Sequence, residues 1–167
     1  MDLRLNNRLL GAAGALVAAA SLAVTGLTAA SAHTSAVPGT EHFQVMIASA
    51  TATPVVIARG VFTDYGVAHP GARVDTWVLH QGSFRLAHKV TRVIHHHNPV
   101  TCLDQLRQTG TYRVADGTGK YTGISGTGTF VFSVLFIEPR VSGKCSTTKP
   151  PVALQLIIKA SGPVSLP

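Results

Sequence analysis

The chain has 167 residues, 46% hydrophobic and 13% charged, with 14 basic against 7 acidic side chains for a formal charge of +7. That length fits one ordinary domain able to bury its own core, and the low charge with high apolar content excludes a disordered polyelectrolyte. Two cysteines are too few for a disulfide-dense scaffold or a thiolate zinc site.

Residues 2–8 carry Arg4 and Arg8 against Asp2, and from Leu9 an apolar stretch of Leu, Ala, Val and Gly continues almost to Ala30. This is the layout of an export signal, and the small residues Ala30-Ser31-Ala32 predict cleavage before His33. On this reading residues 1–32 are a signal peptide. The protein is then secreted, extracellular or cell-wall associated, with no stable membrane insertion after cleavage. A retained anchor is the rival reading, since the stretch is about long enough to span a bilayer. Its weakly hydrophobic Ala/Gly composition and the good cleavage site favour removal. Twelve basic and six acidic side chains would remain, a formal +6. The basic residues are scattered, which argues against a nucleic-acid partner and leaves an anionic cell-wall polymer as a candidate surface partner.

Residues 33–40 have no period and contain Pro38-Gly39, so they read as a flexible lead-in. From there one domain is expected over residues 41–165. Residues 41–50 alternate Phe43, Val45 and Ile47 against His42, Gln44 and Met46; residues 54–62 are rich in Val and Ile; residues 73–80 alternate Val74, Thr76 and Val78 against Asp75, Trp77 and Leu79. These are strand patterns at period two. Residues 83–95 would put Phe84, Leu86, His88, Val90, Arg92 and Ile94 on one face, and residues 107–115, 126–138 and 151–161 add three more strands. Turn chemistry separates them at Tyr65-Gly66, His69-Pro70-Gly71, Gln81-Gly82, Asn98-Pro99, Asp116-Gly117, Pro139 and Pro150-Pro151. Seven or eight strands and no useful helix predict an all-β sandwich or barrel. Residues 129–137, TFVFSVLFI, are nearly unbroken in apolar character and should be buried on both faces or line an apolar cavity. Cys102 and Cys145, each beside turn-forming sequence, are expected to pair in an oxidising compartment.

Gly117, Gly119, Gly123, Gly126 and Gly128 follow G-x-G-x-x-x-G-x-x-G-x-G, with Tyr121 between them and Phe130 after. The spacing misses both the dinucleotide fingerprint and the Walker pattern, so no nucleotide cofactor is expected. Glycines at this density suit a strand that turns a sharp corner and re-enters a sheet. The run resembles the G-T-G-x-[YF]-x-G-x-x-G-x-G-x-[YF] element of allene oxide cyclase-like and dirigent-like barrels. The resemblance implies an eight-stranded antiparallel β-barrel. It also implies ring closure in an unstable fatty-acid epoxide or guidance of phenoxy-radical coupling inside the barrel, by residues outside the motif. No catalytic position carries over.

If the face of Asp75 and Trp77 is the lumen, Trp77 could stack on a flat ligand, with Asp75 as a polar contact or proton-transfer group and His88 as a second ionisable candidate. Tyr65, Tyr112 and Tyr121 are further lumen or rim candidates. In an extended strand His95 and His97 point to one side and could meet His80 or His88 around a metal, although a solvated strand end is the commoner reading and no metal is assigned. No G-x-S-x-G elbow or free thiol supports nucleophilic catalysis. The reading is a small apolar or amphipathic ligand bound in the barrel, with an isomerase or cyclase, or a cell-surface adhesion module, as alternatives. No oligomeric state follows.

Overall fold

The computed structural model describes residues 37–49 and 52–167. The expected signal peptide, its cleavage site and residues 33–36 lie outside the described residues.

The described residues form ten strands: β1 (Val37–Ile47), β2 (Val55–Arg59), β3 (Thr63–His69), β4 (Val74–Leu79), β5 (Gly82–Asn98), β6 (Leu103–Ala115), β7 (Ser125–Ile137), the two-residue β8 (Arg140–Val141) and β9 (Lys144–Cys145), and β10 (Ala153–Leu166). Eight of them form one antiparallel sheet in the order β1-β10-β7-β6-β5-β4-β3-β2, and β2 pairs back to β1, so the sheet closes into a barrel. The interior follows from period-two alternation. Phe43 and Val45 on β1, Val56 and Ala58 on β2, Trp77 and Leu79 on β4, Phe84 and Leu86 on β5, Tyr112 and Val114 on β6, and Ala160 and Val164 on β10 all point inward and are buried. Each of the larger apolar side chains contributes about 1.5–3 kcal/mol by leaving water.

The barrel is filled at one end. The glycine run forms the β6–β7 connection and contains a single 3-10 turn, Gly119–Tyr121, in which Gly119 has φ +59°. This turn drives Tyr121 into the interior, against the rings of Phe62 (4.8 Å) and Phe84 (5.4 Å). The Tyr121 hydroxyl donates to Asp64 Oδ2 at 2.5 Å, and the backbone N–H groups of Tyr65 (2.8 Å) and Gln81 (2.9 Å) donate to the same carboxylate. Burial pushes the Asp64 carboxyl up, but these three donors outweigh it and hold it below the usual aspartate value.

At the other end β5, β6, β7 and β10, with 17, 13, 13 and 14 residues, outrun β2, β3 and β4, with 5, 7 and 6. They continue past the ring as a four-stranded extension, whose tip is tied by the Cys102–Cys145 disulfide (Cα–Cα 5.3 Å) to the β8–β9 hairpin. The expected cysteine pairing is therefore present.

Three sequence expectations differ from the structure. Tyr65-Gly66 is not a turn but the middle of β3, a strand the pattern did not reveal. Gly66 pairs with Val56 and Leu79, and a Cβ there would lie 2.6 Å from the Leu79 Cα, so packing demands the residue that looks like a breaker. Residues 37–40, expected in a flexible lead-in, already belong to β1 and pair with residues 163–166. Phe84, Leu86, His88 and Val90 share a face as expected, but Arg92 and Ile94 do not join them. Val90 pairs with Gly110 and Arg92 with Thr109, which leaves Thr91 as an extra residue in a β-bulge and exchanges the two faces beyond it. Of the two alternatives for residues 129–137, the second is the one present: Phe130 and Phe132 line a cavity, while Leu135 and Ile137 are exposed outside.

Candidate functional site: a cavity in the open half of the barrel

Above the aromatic plug the barrel is hollow. A cavity of about 210 Å³ is walled chiefly by Trp77, Leu86, Phe130, Phe132, Ile158 and Ala160, with Asp75, His88, Gln108 and Tyr112 as its polar groups. Its position follows from side-chain size along the barrel. Phe43 reaches across the interior to Trp77 (5.1 Å, edge to face) and Tyr112 (6.0 Å, edge to face), and Phe84 packs behind Trp77 at 5.8 Å. These rings fill the level at which they lie. Beside them the small residues Gly110 on β6 and Ala160 on β10 flank Phe130 in register.

Asp75, Trp77 and His88, singled out in the sequence, all line this cavity. His88 Nε2 lies 3.3 Å from Asp75 Oδ1, with the side chains 24% and 15% exposed, so the pair is reachable from solvent without lying on the open surface. The Gly71 N–H donates to the same Asp75 oxygen at 3.0 Å, and the His88 ring stands edge-on to Phe130 at 6.2 Å. The carboxylate and the imidazole are thus each held in one orientation. Trp77 does not offer an open face: at 2% exposure it is part of the wall, packed between Phe43 and Phe84.

Two groups at the wall have hydrogens and no acceptor. Trp77 Nε1 and the Tyr112 hydroxyl are fully buried and lack a hydrogen-bond partner among the described residues. Tyr112 is 3% exposed and faces His88 in register across β5 and β6. Burial, and then the charge of Glu41, push its phenol up to about 12, so it stays a neutral donor at any physiological pH. Glu41 sits in the interior with one carboxylate oxygen accepting from the Phe62 N–H (3.1 Å) and the other unpartnered among the described residues; burial raises its carboxyl above 4.5.

Sequence reasoning gave Tyr112 no more weight than Tyr65 and Tyr121. Tyr65 is on the outside, stacked on His80 at 6.0 Å, and Tyr121 is the plug. The signal for Tyr112 lay in the glycine motif: a Cβ on Gly128 would sit 2.5 Å from the Tyr112 ring, so that glycine makes room for it. The triple histidine does not meet His80 or His88. His95 and His97 instead bracket Asp104 on β6.

No family model, curated protein or solved structure matches the chain.

An apolar chamber with two idle donors and a carboxylate–imidazole pair suits a small, mainly hydrophobic molecule that carries an oxygen acceptor. Engineered apolar cavities of about 150 Å³ hold a benzene. A chamber of about 210 Å³ has room for a substituted single ring or a short acyl chain.

Proposed function

We propose that the protein is an exported barrel that binds a small apolar molecule bearing a carbonyl, carboxylate or ether oxygen in the open half of its interior. One observation carries this reading: Trp77 and Tyr112 line an apolar cavity, and each carries a buried donor, Nε1–H and O–H, with no acceptor among the described residues. A buried donor left unpaired costs about 1–3 kcal/mol. Two of them at one cavity make sense where an incoming oxygen accepts from them.

The test is native mass spectrometry of the oxidised protein as purified, and again after exposure to acetophenone and to toluene at equal concentration. The reading expects a one-to-one adduct, either co-purified or formed with acetophenone, that toluene does not match. A protein that takes up neither molecule contradicts it.

A second reading is an isomerase or cyclase acting on such a molecule, favoured by the His88–Asp75 pair at 3.3 Å inside the cavity. It agrees with what the glycine element's resemblance implies, and the pair could move a proton on the bound molecule. In that case Asp75→Asn abolishes conversion and leaves binding intact. The adhesion-module alternative calls for a filled barrel and has no specific observation in its favour.

A further inference from the structure

The carboxylates of this barrel are turned inward and its cations outward. Among the described residues Glu41, Asp64, Asp104 and Glu138 are buried, Asp75 is in the cavity wall, and Asp116 alone is exposed, where it lies 3.6 Å from Arg85. Every lysine and arginine among them is exposed. The basic residues that look scattered along the chain therefore face solvent with almost no opposite charge between them, and the exterior carries a field of one sign.

The alternation that turns Phe43, Tyr112, Phe130 and Ala160 inward turns their neighbours out. One outward row runs in register across six strands, from β2 to β5: Arg59, His42, Ser161, Thr129, Thr111 and Lys89. At the usual strand spacing it follows about 24 Å of barrel wall. Two shallow grooves lie along it. The first holds Arg59, His42, Ser161 and Thr129 together with Lys159 and Gln44, and the second holds Thr129, Thr111 and Lys89 together with Arg113 and Thr127. They meet at Thr129, and no carboxylate lines either. We propose that this outer face binds an acidic polysaccharide laid across the strands from β2 to β5.

The order of groups carries the choice of partner. Cations stand toward each end of the row and hydroxyls between them; an acidic polysaccharide carries carboxylates separated by uncharged, hydroxyl-bearing sugar. Arg59 and Lys159 at one end, and Lys89 and Arg113 at the other, can donate charge-assisted hydrogen bonds to those carboxylates. Ser161, Thr129 and Thr111 can each donate to and accept from the sugar hydroxyls. Two other polyanions fit less well. Single-stranded nucleic acid calls for aromatic faces on which bases stack, and Phe43, Tyr112 and Phe130 of these strands point into the barrel. An anionic membrane surface is held by apolar side chains that enter it beside the cations, and the row has none. The site uses the outward faces of strands whose inward faces line the cavity, so it stands or falls independently of the ligand reading.

The experiment is biolayer interferometry of the tag-free, oxidised protein on immobilised polygalacturonate, with dextran as the neutral polymer. We expect saturable binding to polygalacturonate that weakens as salt rises, and none to dextran. Arg59→Gln/Lys159→Gln should weaken it about fivefold or more. Lys120→Gln/Lys149→Gln removes the same charge outside both grooves and should leave affinity close to wild type. All four side chains are exposed, so neither variant opens the core, and melting temperatures check this. No binding at low salt, equal uptake by dextran, an equal loss in the two variants, or equal affinity for oligodeoxythymidylate or for phosphatidylglycerol vesicles would overturn the proposal.

Discussion

Trp77 and Tyr112 line the cavity and each carries a buried donor, whose energetic consequence under the proposed function depends on whether a ligand oxygen accepts from it. Among the described residues the Tyr112 hydroxyl has no hydrogen-bond partner. Tyr112→Phe should therefore leave stability unchanged or raise it by about 1 kcal/mol, while weakening an oxygen-bearing ligand about tenfold; urea unfolding beside a binding titration separates the two effects. Glu41 gives a prediction in pH. Its folded-state carboxyl titrates above its ordinary 4.5 because of burial. The folded protein thus holds the proton more tightly than the unfolded chain, and stability falls as pH rises from 4.5 through the folded value. Glu41→Gln keeps an acceptor for the Phe62 N–H without the charge. Its melting temperature should exceed wild type at pH 7 and converge with it near pH 4. Asp64 has the opposite sign: its donors hold it low, so its contribution is present above 3.8 and is lost as pH falls through the folded value.

Among the elements, those with clean alternation were legible and those governed by a single small residue were not. The alternation of β1 and β4 placed Phe43, Val45, Asp75 and Trp77 on their true faces from sequence alone. The strand β3 was hidden because Gly66, forced by the close approach of Leu79, looks like a turn residue. The outer half of β5 was read on the wrong face because nothing in VTRVI marks Thr91 as supernumerary; only its pairing with β6 does, and the Thr91 hydroxyl closes the bulge by donating to the Thr109 carbonyl at 3.1 Å. The cavity was half legible: parity put Asp75 and Trp77 on one face and made His88 a second candidate if that face was the lumen, whereas Tyr112 depended on Gly128, its in-register neighbour on β7. The disulfide was legible from turn context, and its worth follows from its span. Bridging residues 43 apart removes about 4 kcal/mol of chain entropy from the unfolded state. A Cys102→Ser/Cys145→Ser variant should lose about that much in urea unfolding, with the loss concentrated in faster hydrogen exchange at the β5–β6 and β7–β8 tips.

Across the whole molecule, one closed sheet serves two ends differently. The glycine-rich connection spends its backbone freedom on placing Tyr121, which plugs one end and is locked to Asp64. The four long strands leave the other end hollow, with the apolar chamber near the ring and the His95–Asp104–His97 cluster at the tip. Because Trp77 is the only tryptophan and lies in the chamber wall, its emission reports the chamber directly. The most direct test is a titration of Trp77 fluorescence with acetophenone in wild type and in Ala160→Phe, whose new ring would occupy the cavity, with thermal unfolding to show that the variant is folded. A saturable change in wild type that disappears in Ala160→Phe is the expected result. No saturable change in folded wild type, or the same change in folded Ala160→Phe, would contradict a ligand site inside the barrel.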